Sequence, residues 1–550
     1  MANGMASLMV GSSGLRSAQT ALNTTAHNLS NVNTQGYTRQ QVTFTDTTYA
    51  NVFSSSIVPG KYGLGVDIGA ISRVRNDFID RSYRTEYSRL GFYESQANAV
   101  YEVEDWFGEM QGVTYQQHIT DLYNSINELT KNPTSTIARS SLIQNATAFI
   151  DRSQAIYSGL KDYQITLNTE VSSMVDKINE LGQKIYSLNK SISKVEAGGV
   201  ERANDLRDTR DLALDELSQY LDIDYYETTD GQIIISAENI PFVSKSEVNT
   251  MDVRQEGQYG LLIPEWPAYE KDVFSFEKAA SNANNNDKGK LKGLLVARGT
   301  IDVNYQDVPV MPDKSDYDLT TAEGMAQYNS AMDDYQKQQD YYNKYIEPSA
   351  ILSAIAGFDK LVNGIVTALN DVLCPEKEVE TTTEMTDDEG NPLQADKYVY
   401  NASQYGRLYD RFGNVVEGTD NGDGTYSYTS GEKLYIDEQH TTAEDIDSMT
   451  YLILDMDKAG FGTDEDETVG VELFKRKGTE RYIKITGEDG TTTYVRNNLN
   501  AIGYEIDYTL GNLLVNPEAS QNVGKIPLST IHGKEDFAKA NELIDTYSNK

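Results

Sequence analysis

The sequence LMVGSSGLRSAQTALNTTAHNL, residues 8–29, decides how the first part of this chain folds. Its leucines recur every seven residues, and small residues lie between them at three- or four-residue steps. The resulting apolar stripe is narrow, which is typical of a coiled-coil seam rather than the wider face of a helix on a globular core. The stripe consists of Leu8, Gly11, Leu15, Ala18, Leu22, Thr25 and Leu29.

The energetics of this segment predict that it needs a partner. Burying four leucines contributes roughly 6–12 kcal/mol, at ~1.5–3 kcal/mol each. Ordering about two dozen residues costs on the order of 1–2 kcal/mol per residue before hydrogen bonding is counted. Most of the remaining residues are Ser, Thr, Asn, Gln and Gly, which are weak helix formers. We therefore expect residues 1–45 to form an N-terminal helix that is disordered until it is assembled.

The end of this segment is rich in Asn and Gly, which marks a helix end followed by a turn, with Gly36 free to adopt a positive φ. Residues 13–40, SGLRSAQTALNTTAHNLSNVNTQGYTRQ, resemble the N-terminal signature of the bacterial flagellar axial proteins. Residues 28–40 are most similar to the hook-associated members of that family. Periodicity by itself leaves open a generic amphipathic helix with an Asn-rich turn. The candidate assembly residues are Leu8, Leu15, Ala18, Leu22, Leu29, Asn31, Asn33, Gly36 and Tyr37.

The resemblance implies a structural subunit that joins hook to filament and assembles with copies of itself into a ring or tube. Its partners would be the hook protein and the next hook-associated protein or flagellin. The flagellar export apparatus and the family's export chaperone would deliver it uncleaved to the extracellular flagellum. The alternatives are another axial protein, such as the hook protein, and, more remotely, an enzyme carried on an inserted acidic domain.

Composition limits the other classes of function. The 84 acidic residues outnumber the 47 basic ones, and the net charge of −37 disfavours nucleic acid and anionic membrane surfaces as partners. One cysteine excludes a disulfide framework. We find no apolar run long enough to span a membrane and no signal-peptide pattern, so we expect no membrane insertion. The residues by themselves would indicate a cytoplasmic protein, whereas the resemblance implies export.

Residues 46–375 are predicted to form a helical bundle domain. Helices are expected over residues 76–110, 167–195, 204–221, 290–305 and 349–373, short strands over 223–263, and a local insertion near 313–345. Asn132-Pro133 and Gly198-Gly199 should interrupt helices, and Asn204 should be an N-cap whose helix exposes its acidic and arginine residues. The expected buried stripes are Leu90, Tyr93, Ala97, Val100 and Phe107; Leu167, Val171, Met174, Ile178, Leu181, Ile185, Leu188, Ile192 and Val195; and Ile351, Ile355, Phe358, Val362, Ile365, Leu369 and Val372.

Composition changes at Pro375. Residues 376–467 hold 24 acidic and 6 basic residues, and we predict that residues 376–497 form an acidic, β-rich inserted domain with a hairpin turn at Asp489-Gly490. Residues 498–550 should return to the bundle. Members of the resembled family end in a second seam helix, which residues 498–550 lack, so we expect that helix beyond Lys550. The predicted fold class is α+β: a long-helix bundle or coiled-coil core domain, an N-terminal assembly helix and an inserted β-rich outer domain.

No catalytic, metal or cofactor site is predicted. The four histidines do not occur at ligand spacing. Asp455, Asp457 and Asp466 only loosely follow the spacing of an EF-hand loop, and residues 419–424 fail at their first position, so acidic turns are the better interpretation of both. His27 lies beside the seam and is interpreted as a polar helix position. Cys374 is interpreted as a structural thiol.

Overall fold

A computed structural model gives the architecture of the protein. It describes residues 2–548 apart from 53–59, 109–113, 200, 257–259, 403–406, 411–412, 417, 421–424, 438–439, 445, 488–489 and 499–507. The predicted turns at residues 421–424 and Asp489 therefore lie outside the described residues. The helices are α1 (Ala2–Ser30), α2 (Asp77–Phe107), α3 (Tyr115–Leu129), α4 (Thr136–Glu196), α5 (Asn204–Tyr220), α6 (Lys290–Arg298), α7 (Ala322–Tyr345), α8 (Ala350–Leu373), α9 (Pro517–Gln521) and α10 (Phe537–Ser548).

The strands of the first part of the chain form small antiparallel sheets. They are β1 (Gln40–Asp46), β2 (Tyr49–Val52), β3 (Gly60–Gly63), β4 (Val66–Arg73), β5 (Ile223–Glu227), β6 (Ile233–Ala237), β7 (Ile240–Val243), β8 (Asp252–Glu256), β9 (Leu261–Trp266) and β10 (Lys271–Asp272). β1 pairs with β4 from Gln40 opposite Arg73 to Asp46 opposite Val66. β2 pairs with β3, and the two three-stranded sheets run β5-β6-β7 and β10-β9-β8.

The later strands are β11 (Glu376–Thr381), β12 (Lys397–Ala402), β13 (Leu408–Tyr409), β14 (Val415–Val416), β15 (Thr419–Asp420), β16 (Tyr426–Ser430), β17 (Ser448–Leu454), β18 (Phe474–Arg476), β19 (Tyr482–Thr486), β20 (Thr492–Arg496) and β21 (Leu513–Val515). The main sheet runs β15-β16-β12-β17-β20-β19, with β11 also paired to β17. The α+β class is confirmed. The predicted domain boundaries stay predictions.

The described chain divides into two compact units. The first comprises Met1–Tyr101, Asp162–Ile301 and Asn343–Ile351, and the second comprises Glu102–Lys161, Asp302–Tyr342 and Leu352–Lys550. In the second unit the acidic sheet has a core of its own, in which Tyr398, Tyr400 and Tyr451 are buried. Their hydroxyls accept backbone N–H groups, so these large side chains are buried without an orphaned polar atom.

The heptad pattern in α4 predicted its buried face well. Six of the nine predicted positions, from Leu167 to Ile185, are at most 7% exposed, and Ile192 is also buried. Leu188 is partly buried, and Val195, in the last turn, is 38% exposed. All seven predicted positions of α8 are buried as well. α6 is shorter than predicted, because Gly299 ends it with a positive φ.

The predicted face of α2 was wrong. Leu90 and Val100 are 57% and 43% exposed, and the buried face instead carries small residues such as Gly91 and Ala99. A Cβ on Gly91 would lie 2.4 Å from the backbone oxygen of Gln219. The small residues therefore let the backbone of α2 approach its neighbours closely, a packing mode that a leucine count does not detect.

The predicted solvated face of α5 was also wrong. Arg207, Asp208, Arg210 and Asp211 are all buried. Asn204 is the first helical residue rather than the cap, and its amide donates to the backbone oxygen of Ile71 at 3.0 Å. Charged residues enter this interior because each meets an opposite charge or a backbone carbonyl there.

By length and composition α8 could cross a membrane, which the sequence analysis did not anticipate. Half of its most apolar window is buried inside the protein. A core helix passes the same test, so this is weak support for a membrane span.

Candidate assembly interface

The polar side of α1 packs against the antiparallel pair β1–β4. Ser17 and Thr24 on this side are buried. The Ser17 hydroxyl donates to the backbone oxygen of Val66 at 3.3 Å, and the Val66 amide donates to the Ser13 hydroxyl at 3.2 Å. The small hydroxyl side chains therefore allow the helix to lie close to β4.

The predicted seam lies on the other side of α1, away from the hairpin. Leu8, Leu15, Leu22 and Leu29 are 74%, 76%, 64% and 74% exposed, and Ala18 is exposed as well. The structure thus places these five predicted residues on one face and covers none of them. Whether residues 1–45 are disordered before assembly stays a prediction.

Asn28 fixes the end of α1 to the start of β1. Its amide nitrogen donates to the backbone oxygen of Gln40, and its amide oxygen accepts the Gln40 N–H, both at 2.9 Å. The same oxygen accepts the Tyr37 hydroxyl at 2.7 Å. Burial, together with the charges of Asp205 and Asp208, raises the pKa of Tyr37, so this hydroxyl keeps the proton that it donates.

The turn after α1 contains the other predicted residues. Asn31 donates from its side chain to the backbone oxygen of His27 at 3.0 Å and accepts the Thr34 hydroxyl at 3.1 Å. Asn33 is exposed. Gly36 has φ +78°, and a Cβ there would lie 3.2 Å from the side chain of Leu212 on α5. Gly36 therefore provides the turn that its position in the motif predicted, and it also allows a close approach to α5.

A groove of about 650 Å³ lies between α1 and β1. Its lining includes Leu29 from the seam, Val32 and Tyr37 from the turn, and Phe44 from β1. The exposed seam therefore continues into a concave, partly apolar surface.

A buried cluster of ion pairs attaches the β1–β4 hairpin to α5 and α2, and the sequence patterns described above did not predict it. One nitrogen of Arg73 donates to Asp208 at 2.8 Å and to Asp211 at 2.6 Å. The Asp211 carboxylate also lies within 3.4 Å of Arg75 and 3.5 Å of Arg84. Burial alone would raise the pKa of Asp211, but the guanidinium groups of Arg73 and Arg75 outweigh it and lower that pKa.

The only sequence signal for this cluster was the spacing of three acids on α5. Asp208, Asp211 and Asp215 recur at three- and four-residue steps and so share a face of the helix. Burial is the main influence on Asp215, whose pKa is raised although Arg84 donates to it at 2.7 Å. Nothing in the sequence showed that Arg73 and Arg75 would face these acids.

The residues considered for chemistry have structural partners. His27 lies 3.6 Å from Asp205 and edge-on to Tyr37. Lys377 and Lys458 lie 3.3 and 3.6 Å from Asp455. Cys374 is buried. Within the described part of the chain, no group of three His, Cys, Asp or Glu side chains is placed to hold a metal ion.

Two protein-family models match this chain, one over α1 and the turn after it, and the other over a longer helical region. The model of the flagella basal body rod protein family matches residues 8–38, and that of the flagellar hook-associated protein FlgK helical domain matches residues 100–312. These matches together cover less than half of the chain. They confirm the resemblance to hook-associated flagellar proteins that residues 13–40 predicted.

The curated relatives of this chain include proteins named flagellar hook-associated protein 1, from several bacteria. That of Bacillus subtilis (strain 168) is 29% identical over 335 residues, which are 57% of this chain and 64% of the relative. That of Escherichia coli (strain K12) is 27% identical over 228 residues, 41% of each chain. The chain thus covers less than two thirds of either relative's length. A solved structure of the flagellar hook junction protein FlgK from Burkholderia pseudomallei covers 82% of this chain and 66% of its own, at 12% identity and a TM-score of 0.40.

Proposed function

We propose that this chain, whose sequence is similar to flagellar hook-associated protein 1 over 57% of its length, is a structural subunit joining the hook of a bacterial flagellum to its filament. The observation that carries the proposal is the exposure of four leucines on one face of α1. Neighbouring copies would cover this face and form a ring or tube. The hook protein would contact one side of that ring, and the next hook-associated protein or flagellin the other.

The energetics of the seam support assembly through α1. Each exposed leucine contributes roughly 1.5–3 kcal/mol when a neighbouring subunit buries it. The polar side of the helix is already held by the subunit's own hairpin, through Ser17 and Asn28. These contacts would orient α1 once it folds against the hairpin, which reduces the ordering entropy that association costs.

The absence of acidic residues from residues 1–45 also favours this interface. A chain with a net charge of −37 would repel its own copies if that charge were carried on the contacting helices. We further propose that the flagellar export channel secretes the chain to the extracellular flagellum and that an export chaperone assists it. We assign it no catalytic role.

The hook protein is the second candidate among axial proteins. The match of residues 100–312 to a helical domain of hook-associated proteins favours the junction role over it. A deletion strain of the source bacterium separates the two candidates. Loss of a junction protein leaves complete hooks and filament subunits shed into the medium, whereas loss of a hook protein leaves no hooks.

The seam is tested by complementing that strain with Leu22→Asp and, as a matched control, Asn23→Asp. Both changes add one negative charge to α1, but residue 23 lies about 100° around the helix axis from the seam. The charge at position 22 would be buried between subunits without a partner, at a cost of several kcal/mol. We expect the strain complemented with Leu22→Asp to shed filament subunits into the medium, and the strain complemented with Asn23→Asp to form filaments again.

Purified monomers of both variants should unfold at the same denaturant concentration as the unmodified chain. If Leu22→Asp restored filaments as well as Asn23→Asp does, the seam would not be the assembly interface.

A further inference from the structure

In the second unit a cluster of charges, buried except at Asp371, lies where α8 leads into the acidic sheet. Its centre is Arg481, whose side chain is 3% exposed. Arg481 Nε donates to Glu376 at the start of β11, and Arg481 Nη2 donates to Asp371 in the last turn of α8, both at 3.0 Å. Arg481 Nη1 donates to the Tyr508 hydroxyl at 2.9 Å. We call Asp371, Glu376, Glu472, Arg481 and Tyr508 the Arg481 cluster.

Glu472 is the member of the cluster whose charge is least compensated. Its side chain is 4% exposed, and its Oε2 accepts the Tyr508 hydroxyl at 2.5 Å. Arg481 Nη1 lies 4.0 Å from that oxygen, which is beyond hydrogen-bonding distance. The Tyr508 hydroxyl accepts from Arg481 Nη1 and donates to Glu472 Oε2. The guanidinium group of Arg481 makes its direct carboxylate contacts with Glu376 and Asp371 instead.

The other basic groups around Glu472 are also committed elsewhere. Arg496 donates to Glu376 at 2.7 Å, Arg476 donates to the backbone oxygen of Asn497, and Lys475 contacts Glu480. On the remaining side, the Tyr482 hydroxyl bonds with Glu376 and with the backbone oxygen of Cys374. A carboxylate buried among these groups would have a hydroxyl as its hydrogen-bond donor and no cation in direct contact, an environment that favours the neutral acid.

Burial raises the pKa of Glu472 to about 7, although Tyr508, Arg481, Arg476 and Lys475 each act to lower it. The ordinary value, which an opened cluster would restore, is 4.5. A raised pKa in the closed form means that this form binds a proton more tightly than the opened form. The stabilisation from Glu472 is therefore complete below pH 4.5 and is lost as the pH rises to about 7.

We propose that Glu472 makes the Arg481 cluster a proton-dependent latch between the end of α8 and the acidic sheet. With neutral Glu472 the latch is closed, because Tyr508 joins Glu472 to Arg481 and Arg481 joins α8 to β11. When Glu472 ionises, a third carboxylate lies beside a guanidinium group that already bonds to two. The closed form then becomes less stable, and the latch opens more often. Carboxylates that form ion pairs at the surface give the opposite pH dependence, because acid protonates them and weakens the ion pairs.

Cys374 provides a local probe of the latch. It is the only cysteine in the chain, it is buried, and its backbone oxygen accepts the Tyr482 hydroxyl beside the cluster. Burial raises the pKa of its thiol to about 12, so the closed form does not react. The labelling rate of the full chain with a thiol reagent, divided by the rate of the urea-unfolded chain at the same pH, gives the opening equilibrium.

We expect this ratio to rise about 10-fold between pH 6 and pH 8, because the pKa of Glu472 is about 7 in the closed form and 4.5 in the opened form. This measurement uses the unmodified chain alone. A ratio that is constant or falls over that range overturns the proposal.

The matched variants are Glu472→Gln and Glu378→Gln. Gln at 472 keeps the shape and hydrogen-bonding capacity of the neutral acid, so the ratio should become independent of pH. It should lie about 30-fold below the pH 6 value of the unmodified chain, because the opened form of that chain is already ionised at pH 6. Glu378 is an exposed carboxylate on β11, and its change should leave the 10-fold rise intact. A Glu472→Gln chain that keeps the rise, or a Glu378→Gln chain that loses it, contradicts the latch.

Discussion

α1 and the part of α4 in the first unit carry the same apolar periodicity but use it differently. Both place apolar residues at alternating three- and four-residue steps. In α4, Val171, Ile178 and Ile185 are completely buried, whereas Leu15 and Leu22 of α1 are more than 60% exposed. Spacing thus fixes which residues share a face, and the neighbours of the helix decide whether that face is covered.

The neighbours explain the difference between the two helices. The β5-β6-β7 sheet and its flanking loops lie against α4, where Asn189 bonds to both backbone groups of Ile233 and a Cβ on Gly182 would meet the Phe242 ring at 2.5 Å. The hairpin beside α1 instead contacts small polar residues, such as Ser17. Segments of the same subunit therefore cover the apolar face of α4, whereas on α1 they cover the polar face.

The largest expected effect comes from Leu181→Ala in α4. The residue is 1% exposed, so the change removes buried apolar surface and leaves a cavity, at a cost of about 2–5 kcal/mol of unfolding free energy. Urea denaturation measures the loss, with the exposed Gln183→Ala on the same helix as the control. Equal stability of the two variants would show that the α4 face is not a packed core.

Asp211→Asn tests the ion-pair cluster that holds the hairpin under α1. The variant loses charge-assisted hydrogen bonding to Arg73, and we expect a cost of about 1.5–3 kcal/mol near neutral pH. The pKa of Asp211 is lowered in the folded chain, so its stabilisation is present above the ordinary value of 3.8 and is lost as the pH falls through the folded value. The difference between variant and unmodified chain should therefore shrink below about pH 4, and a difference independent of pH would exclude this electrostatic origin.

Asn28→Ala tests how firmly α1 is attached to β1. The hydrogen bonds of the Asn28 side chain with Gln40 and Tyr37 are partly exposed, so we expect a local cost of about 1 kcal/mol. Amide hydrogen exchange at Gln40 should become about 5-fold faster, while amides in the middle of α4 keep their protection. Unchanged exchange at Gln40 would mean that the other contacts of α1 suffice to hold it.

Leu22→Ala should have the smallest effect on the isolated chain. The leucine is 64% exposed and alanine is the best helix former, so the unfolding free energy should change by no more than about 0.5 kcal/mol. Filament attachment in the complemented deletion strain should nevertheless weaken, because the missing side chain is the one that assembly would bury. A loss of several kcal/mol in the monomer would place Leu22 in the subunit's own core.

The kind of residue involved decided which buried faces the sequence predicted. Long apolar repeats predicted α4 and α8 and most of their buried positions, because large aliphatic side chains are buried wherever a partner is available. The buried face of α2 was missed because small residues such as Gly91 pack through backbone proximity. The charges of α5 were missed because Arg73 and Asp211 are 138 residues apart in the chain and meet only in the folded structure.

The sequence by itself determined the periodic faces of the helices, the turn at Gly36, the acidic and β-rich composition after Pro375, and the resemblance carried by residues 13–40. These properties are local, since they depend on residues within a few helical turns of one another. Only the tertiary structure decided which faces are covered, that Arg73 and Asp211 are paired inside the protein, and that Glu472 is buried beside Tyr508. Burial and pairing depend on distant segments that the fold brings together, and a single sequence does not encode those distances in any local pattern.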